Sequence, residues 1–350
     1  MSFGAPVRNG IGIGLRASTS LSTRGGAGGG LNVATVFATS LYTGNSSTQT
    51  ITNGIDLAGE GGLVWIKNRN TNGSHLLYDT ARGVTKSIYS NSTYFQETFA
   101  NSLTSFNSNG FSLGSDPNAA PNLSGRTYAS WTFREAPNFF DVVTWTGNGV
   151  AGRQIAHNLG VAPGMILVKR TDNSSNWAVY HRSSNLLILN NTAAAYSTAI
   201  TAARFGDDTN VIAPTNTVFT VGGDTDVNAS GGTYVAYLFA HDATADGIIQ
   251  CGSYAGTGAV QSINLGWTPQ WLLVKNVTNT GNWNQFDTAR GMATSNTGSN
   301  ALLNPNLSNA ETTTGAVLNI TATGFTLNNT NTNYNGSGEN YIYVAIRSAP

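Results

Sequence analysis

Apolar residues in this chain fall in short runs, rich in β-branched and aromatic side chains and bounded by Gly, Asn, Asp and Pro. TYASWTF (127–133), TYVAYLF (233–239) and YIYVAI (341–346) alternate bulky and small side chains, the period-two pattern of strands. Runs such as LVWIK (63–67) are apolar without interruption, as in strands buried on more than one side. The nearest approach to a helical stripe, NTAAAYSTAITAARF (191–205), predicts one helical turn or two inside a loop. The pattern as a whole predicts an all-β fold.

The pattern is also written three times. NLSGRTY (122–128) returns as NASGGTY (228–234) and NGSGENY (335–341), which places Tyr128, Tyr234 and Tyr341 at intervals of 106 and 107 residues. GLVWIK, GMILVK and QWLLVK end at Lys67, Lys169 and Lys275, and aromatic turns open each unit at Tyr42, Trp145 and Tyr254. Markers that keep one order predict three homologous domains of roughly 105 residues, each long enough to own a core. The expected domains are 35–137, 138–243 and 244–350, with boundaries at APNFF (136–140) and HDATADG (241–247). About eight short strands in two packed sheets predict a β-sandwich of jelly-roll type for each. Residues 1–34, which include RGGAGGG (24–30), stand outside the repeat as an extended Gly-rich arm. Such text buries too little apolar surface to order itself, so a docking role on a neighbouring subunit or larger assembly is expected.

Charge narrows the partners. Seventeen Lys and Arg balance seventeen Asp and Glu in 350 residues, and Asn, Thr, Ser and Gly supply the polar surface. Zero net charge gives no electrostatic case for nucleic acid or an anionic membrane, and no apolar run is long enough for a membrane span. With 40% hydrophobic residues the chain is too apolar for disorder. The single cysteine, Cys251, provides no disulfide framework and reads as a small buried hydrophobe at a strand end. The opening MSFGAPVRNGIGIGL lacks the unbroken apolar stretch of a secretory signal.

Candidate chemistry is sparse. DTARG occurs at 79–83 and 287–291, but the second unit has VYHRS (179–183), with His181 opposite Asp79 and Asp287. Asp79 with Arg82, and Asp287 with Arg290, read as structural turn pairs in which Asp caps a tight turn, in preference to a binding pair in a loop. His75, His157, His181 and His241 lack metal-ligand spacing, and the Asp224, Asp226, Asn228 alternation lacks the Gly and distal Glu of a calcium loop. No metal, cofactor or catalytic set is expected, hence no enzyme. Aromatic rings beside amides can hold sugars, by stacking on the C–H face of a pyranose while the amides meet its hydroxyls. Asn176, Trp177 and Tyr180, with Asn282 and Trp283 in the equivalent loop, are the glycan-contact candidates. The competing reading makes Trp177 and Trp283 half-buried plugs of the sandwich.

GGLVWIKNR (61–69), LLYDTARG (76–83), SFNSNGFSLG (105–114), SGRTYASWTFR (124–134) and FFDVVTWTGNG (139–149) together resemble a domain family found in tandem in structural proteins of tailed bacteriophages, particularly those of cyanobacteria and other marine bacteria. The resemblance covers residues 35–350. It implies a virion component, assembled in the host cytoplasm: a tail fibre or tail-associated adhesin. Residues 1–34 would join other virion proteins, and the domains would face host surface carbohydrate. By the same analogy a homo-oligomer, a trimer, is expected. The alternatives are a head decoration (cement) or other purely structural subunit, and then a polysaccharide depolymerase, which would need Asp79 or Asp287 beside a second acid in a groove.

Overall fold

A computed structural model describes residues 1, 30–115, 120–328 and 330–349. Residues 2–29 of the expected docking arm, 1–34, lie outside the described residues, and Val33 near its end is buried in the core. The first stretch of strands comprises β1 (Phe37–Thr43), β2 (Gln49–Thr52), β3 (Gly62–Asn68), β4 (Leu76–Asp79), β5 (Lys86–Tyr89), β6 (Glu97–Thr98), β7 (Leu103–Asn107), β8 (Gly110–Leu113) and β9 (Thr127–Arg134). The second has β10 (Phe140–Thr146), β11 (Arg153–Ala156), β12 (Pro163–Arg170), β13 (Trp177–His181), β14 (Ser184–Ile188), β15 (Val218–Val221) and β16 (Thr233–Ala240). The third has β17 (Ile249–Ala255), β18 (Gln261–Asn264), β19 (Pro269–Asn276), β20 (Trp283–Asp287), β21 (Ser299–Leu302), β22 (Thr312–Gly315), β23 (Leu318–Thr321), β24 (Gly324–Leu327) and β25 (Asn340–Arg347).

All pairing between these strands is antiparallel. The large sheets run β1-β9-β3-β4-β5-β6, β10-β16-β12-β13-β14 and β17-β25-β19-β20. In each, the last strand of the stretch lies between the first and the third. The smaller sheets β2-β8-β7, β11-β15 and β18-β24-β23 also match one another in order, and β21 pairs with β22. The helical text at 191–205 yields a short helix, Thr198–Ala202, capped by Ser197, whose side chain accepts from Ile200 N.

Period-two alternation decides which core each side chain enters. On β3, Leu63 and Trp65 face a central cluster, whereas Val64 and Ile66 face Ile51, Phe111 and Leu113 of the small sheet. On β19 and β25, Trp271, Leu273, Ile342 and Val344 face the centre, and Leu272, Val274 and Tyr343 pack with Phe325 and Leu327. Apolar residues on both faces explain the uninterrupted runs. The central cluster draws on all three stretches: the Phe133 ring lies 5.6 Å from Phe239 and 5.9 Å from Trp271. Trp65, Trp131, Trp177, Trp271 and Trp283 are fully buried, and each contributes on the order of 3 kcal/mol by leaving water. The first and third stretches thus keep apolar clusters of their own beneath their small sheets, and a central cluster shared with the second stretch joins them. Residues 31–350 form a single compact unit, because each large sheet is apolar on both faces and the small sheet of its own stretch covers only one of them.

The repeated text fastens each stretch to itself. Tyr42, Trp145 and Tyr254 stack on their cross-strand partners Tyr128, Tyr234 and Tyr341 at 5.0, 5.2 and 5.0 Å. The hydroxyls of those tyrosines accept from Leu123 N, Ala229 N and Gly336 N, and Tyr128 and Tyr234 donate to the carbonyls of Ala120 and Thr225. Asn122 and Asn228 are buried and tie the opening turn of their stretch through Asn45 N and Asn148 N. The turn passes so close that a Cβ at Gly44 would meet Leu123 O at 2.2 Å, and one at Gly147 would meet Ala229 O at 2.1 Å. Only glycine fits there.

Candidate functional site

The predicted turn pairs occupy buried junctions. Asp79 ends β4; its carboxylate accepts from Arg82 N at 2.8 Å and Arg82 Nε at 2.5 Å. Asp287 ends β20 and treats Arg290 the same way, at 2.9 and 2.5 Å. Each aspartate also accepts a donor from another stretch, Tyr237 OH at 2.7 Å on Asp79 and Trp131 Nε1 at 2.9 Å on Asp287. The register pairs Leu63 with Asp79, Met165 with His181 and Trp271 with Asp287, so His181 holds the equivalent place in the second stretch. Its imidazole meets the Tyr343 carbonyl at 3.4 Å, and burial drives its pKa down to about 3, so the ring is neutral. The strand position held by Trp131 and Tyr237 is Val344 in the third stretch, which has no donor to offer. The lost carboxylate and the lost donor thus belong to the same junction.

The three repeated lysines do equivalent work. Lys67, Lys169 and Lys275 are fully buried. Lys67 Nζ donates to Asn68 O at 2.7 Å and reaches Ser308 O at 3.4 Å; Lys169 Nζ donates to Thr93 O at 2.9 Å and Ser175 O at 2.7 Å; Lys275 Nζ donates to Asn276 O at 2.6 Å and reaches Thr192 O at 3.4 Å. The same three carbonyls, Ser308, Thr93 and Thr192, accept from Gly73 N, Ser175 N and Gly281 N. The third stretch therefore grips the first, the first grips the second and the second grips the third, in a closed ring. Arg69 and Glu311 add an ion pair at 2.7 Å where the third meets the first, and Arg290 Nη1 joins Glu311 at 3.2 Å. Burial lowers all three lysine pKa values to about 8. Their spacing was legible, but their role depends on carbonyls up to 241 residues away.

Burial corrects two of the glycan-contact candidates, Trp177 and Trp283. Trp177 is 0% and Trp283 1% exposed, and their indole N–H groups donate to Tyr89 O at 2.8 Å and Ile188 O at 3.0 Å in the preceding stretch. They begin β13 and β20 where the ring closes, so neither face is open for stacking. His75 takes the equivalent place in the first stretch, buried, with Nδ1 accepting from Trp65 Nε1 at 3.0 Å. Asn176 and Asn282 are half-buried and hold Asn190 and Asn306, the asparagines that receive Trp177 N and Trp283 N. Tyr180 is half-buried against Phe205, 5.7 Å away, beside a cavity of about 400 Å³ shared with Arg182 and His241. Cys251 is buried within β17, its thiol directed to the Ala240 carbonyl, and burial raises its pKa. Asp224 and Asp226, the acids of the calcium-like text, both pair with Arg204, at 3.1 and 2.9 Å.

Asp79 and Asp287 are wholly buried and saturated with donors, so neither opens onto a groove. A carboxyl couple, Glu135 and Asp141, lies at the first linker instead. Burial and then the Asp141 charge raise Glu135 to about 8, while Asp141 accepts from Val142 N and Asn158 N.

An open groove of about 450 Å³ is lined in part by Asn68, Ser74, Tyr89, Tyr94, Glu97 and Arg126. Tyr94 is 49% exposed and stacks on Phe95 with ring centroids 5.0 Å apart. Tyr89 OH donates to the Glu97 carboxylate. The Arg126 guanidinium makes no ion pair or hydrogen bond among the described residues. The sequence signal for this site was the adjacent Tyr94–Phe95 pair in polar text, which lies outside the triplicated markers.

The family model described as Domain of unknown function (DUF7483) matches residues 33–350. The chain belongs to this family. The DUF7483 match begins at Val33, the first core residue of the described unit, and spans all three junctions and the groove. A comparison with curated proteins found no match.

Proposed function

We propose that this DUF7483 chain is a non-enzymatic structural protein of a tailed-phage virion, most specifically a tail fibre or tail-associated adhesin. On this reading three homologous β-sandwich modules of jelly-roll type form a rigid body, residues 1–34 attach it to other virion proteins, and its outer surface meets host glycans. One observation supports it above the others: the lysines, aspartates and tryptophans that the sequence singled out are held in the ring junctions. Asp79, Asp287, Lys67, Lys169, Lys275, Trp177 and Trp283 all hold one stretch to the next. What faces solvent is amide, hydroxyl and scattered aromatic surface, suited to hydrogen-bonded contact. A ring closed within one chain gives the stiffness a fibre gains from three subunits, and further trimerisation through the arm belongs to the same proposal.

The test is incorporation and copy number. The intact chain is expected in purified virions at a few to a few tens of copies, and deletion of residues 2–29, which spares the core residue Val33, is expected to abolish incorporation while leaving the body folded. Hundreds of copies would replace the adhesin reading with head decoration, and incorporation without the arm would remove the docking role.

A further inference from the structure

We infer that the groove bounded by Tyr89, Tyr94, Glu97 and Arg126 is a binding site for an uncharged saccharide. This inference rests on the adhesin reading and names its ligand class. The chain provides its own internal control, because the same place exists in the other two stretches. Arg126 stands in NLSGRTY where the second stretch has Gly232 and the third has Glu339. Glu339 is fully engaged, accepting from Asn276 Nδ2 at 2.8 Å, Asn279 Nδ2 at 2.6 Å and Tyr341 OH at 2.6 Å. Gly232 has no side chain, and the nearby Arg170 is spent on Asp172 through two bonds of 3.0 Å. Among the described residues only the first stretch leaves a charged side chain at this position without a partner.

The lining matches a pyranose group by group. Tyr94 presents a half-exposed ring, and an aromatic face of that kind stacks on the C–H face of a sugar. Arg126 is a donor only, and its fork suits vicinal hydroxyl oxygens. Glu97 is an acceptor whose second oxygen remains beside the one bonded to Tyr89, so it can receive a hydroxyl proton. Ser74 and Asn68 supply further polar atoms. One cation and one carboxylate balance, which favours a neutral sugar over a uronic acid or an amino sugar. A volume of about 450 Å³ accommodates one or two rings.

The experiment probes an array of neutral and acidic oligosaccharides with the full-length protein, then with Tyr94→Ala, Arg126→Ala and Glu97→Gln. Unchanged thermal unfolding of the variants shows that they fold. Wild-type protein is expected to bind neutral oligosaccharides with little loss in 0.5 M salt, about the ionic strength at which purely charge-driven contacts are screened. Tyr94→Ala and Arg126→Ala are each expected to weaken that binding by about tenfold or more. Neutral-sugar binding that survives both substitutions would overturn the site and leave the adhesin reading standing. Binding confined to acidic sugars and lost in salt would overturn the ligand class. No binding to any glycan would overturn the site together with the glycan-contact half of the adhesin reading.

Discussion

Replacing Tyr237 with Phe removes one oxygen from the junction between the first and second stretches and leaves the ring in place. Two bonds are lost, 2.7 Å from Tyr237 OH to Asp79 and a longer one of 3.4 Å from Arg82 Nη2 to the Tyr237 hydroxyl; the first has a charged acceptor, and such bonds contribute about 1.5–3 kcal/mol. Asp79 keeps both donors from Arg82, and Arg82 Nη2 keeps Leu77 O at 3.0 Å, so no buried group is orphaned. The lower part of that range applies, about 2 kcal/mol. Urea unfolding of wild type, Tyr237→Phe, Asp79→Asn and the double variant forms a mutant cycle, with a coupling energy of about 1 kcal/mol or more expected. Because the bond crosses between stretches that share a core, the whole transition of residues 31–350 should move as one. Equal costs of Tyr237→Phe in the Asp79 and Asn backgrounds would refute the junction. A partial transition in which only one third of the protein shifts would refute the shared core.

Three further outcomes follow from the same contacts. The lysines have folded pKa values of about 8 against an ordinary 10.5, so between those values the unfolded state holds more protons and stability rises with pH. Urea midpoints should therefore increase from pH 7.5 to 9, before the raised Cys251 and tyrosine pKa values oppose the trend; a flat or falling profile contradicts buried lysines. Trp283→Ala should cost about 3–5 kcal/mol in denaturant titration, as a buried plug does, whereas a surface contact would cost little. Gly44→Ala should destabilise by more than about 2 kcal/mol because its Cβ meets Leu123 O at 2.2 Å, while Gly54→Ala, with open space but φ of +80°, should cost only about 1 kcal/mol.

Strand identity was legible because alternation and β-branched runs are local properties, and the recurring strings marked real fastenings such as the Tyr42–Tyr128 stack. The Asp-cap geometry of DTARG was also legible, since Asp79 and Arg82 are three residues apart. What the sequence hid is where the second face of each large sheet goes. Trp177 in an amide-rich loop looks the same whether it meets water or the Tyr89 carbonyl 88 residues away. One signal was available: the second stretch loses its aspartate and the third has Val344 where the others carry Tyr237 and Trp131, a paired departure expected of residues in contact.

Placing all three junctions in one polypeptide frees them from identity. In an assembly of three separate identical subunits, exchanging an aspartate for a histidine alters every seam at once, and each seam must tolerate it. Here His181 and Val344 remodel a single seam while Asp79–Tyr237 and Asp287–Trp131 stay intact, and Arg126 differentiates a single groove. One seam or one groove can therefore change by itself while the remaining fastenings keep the body rigid.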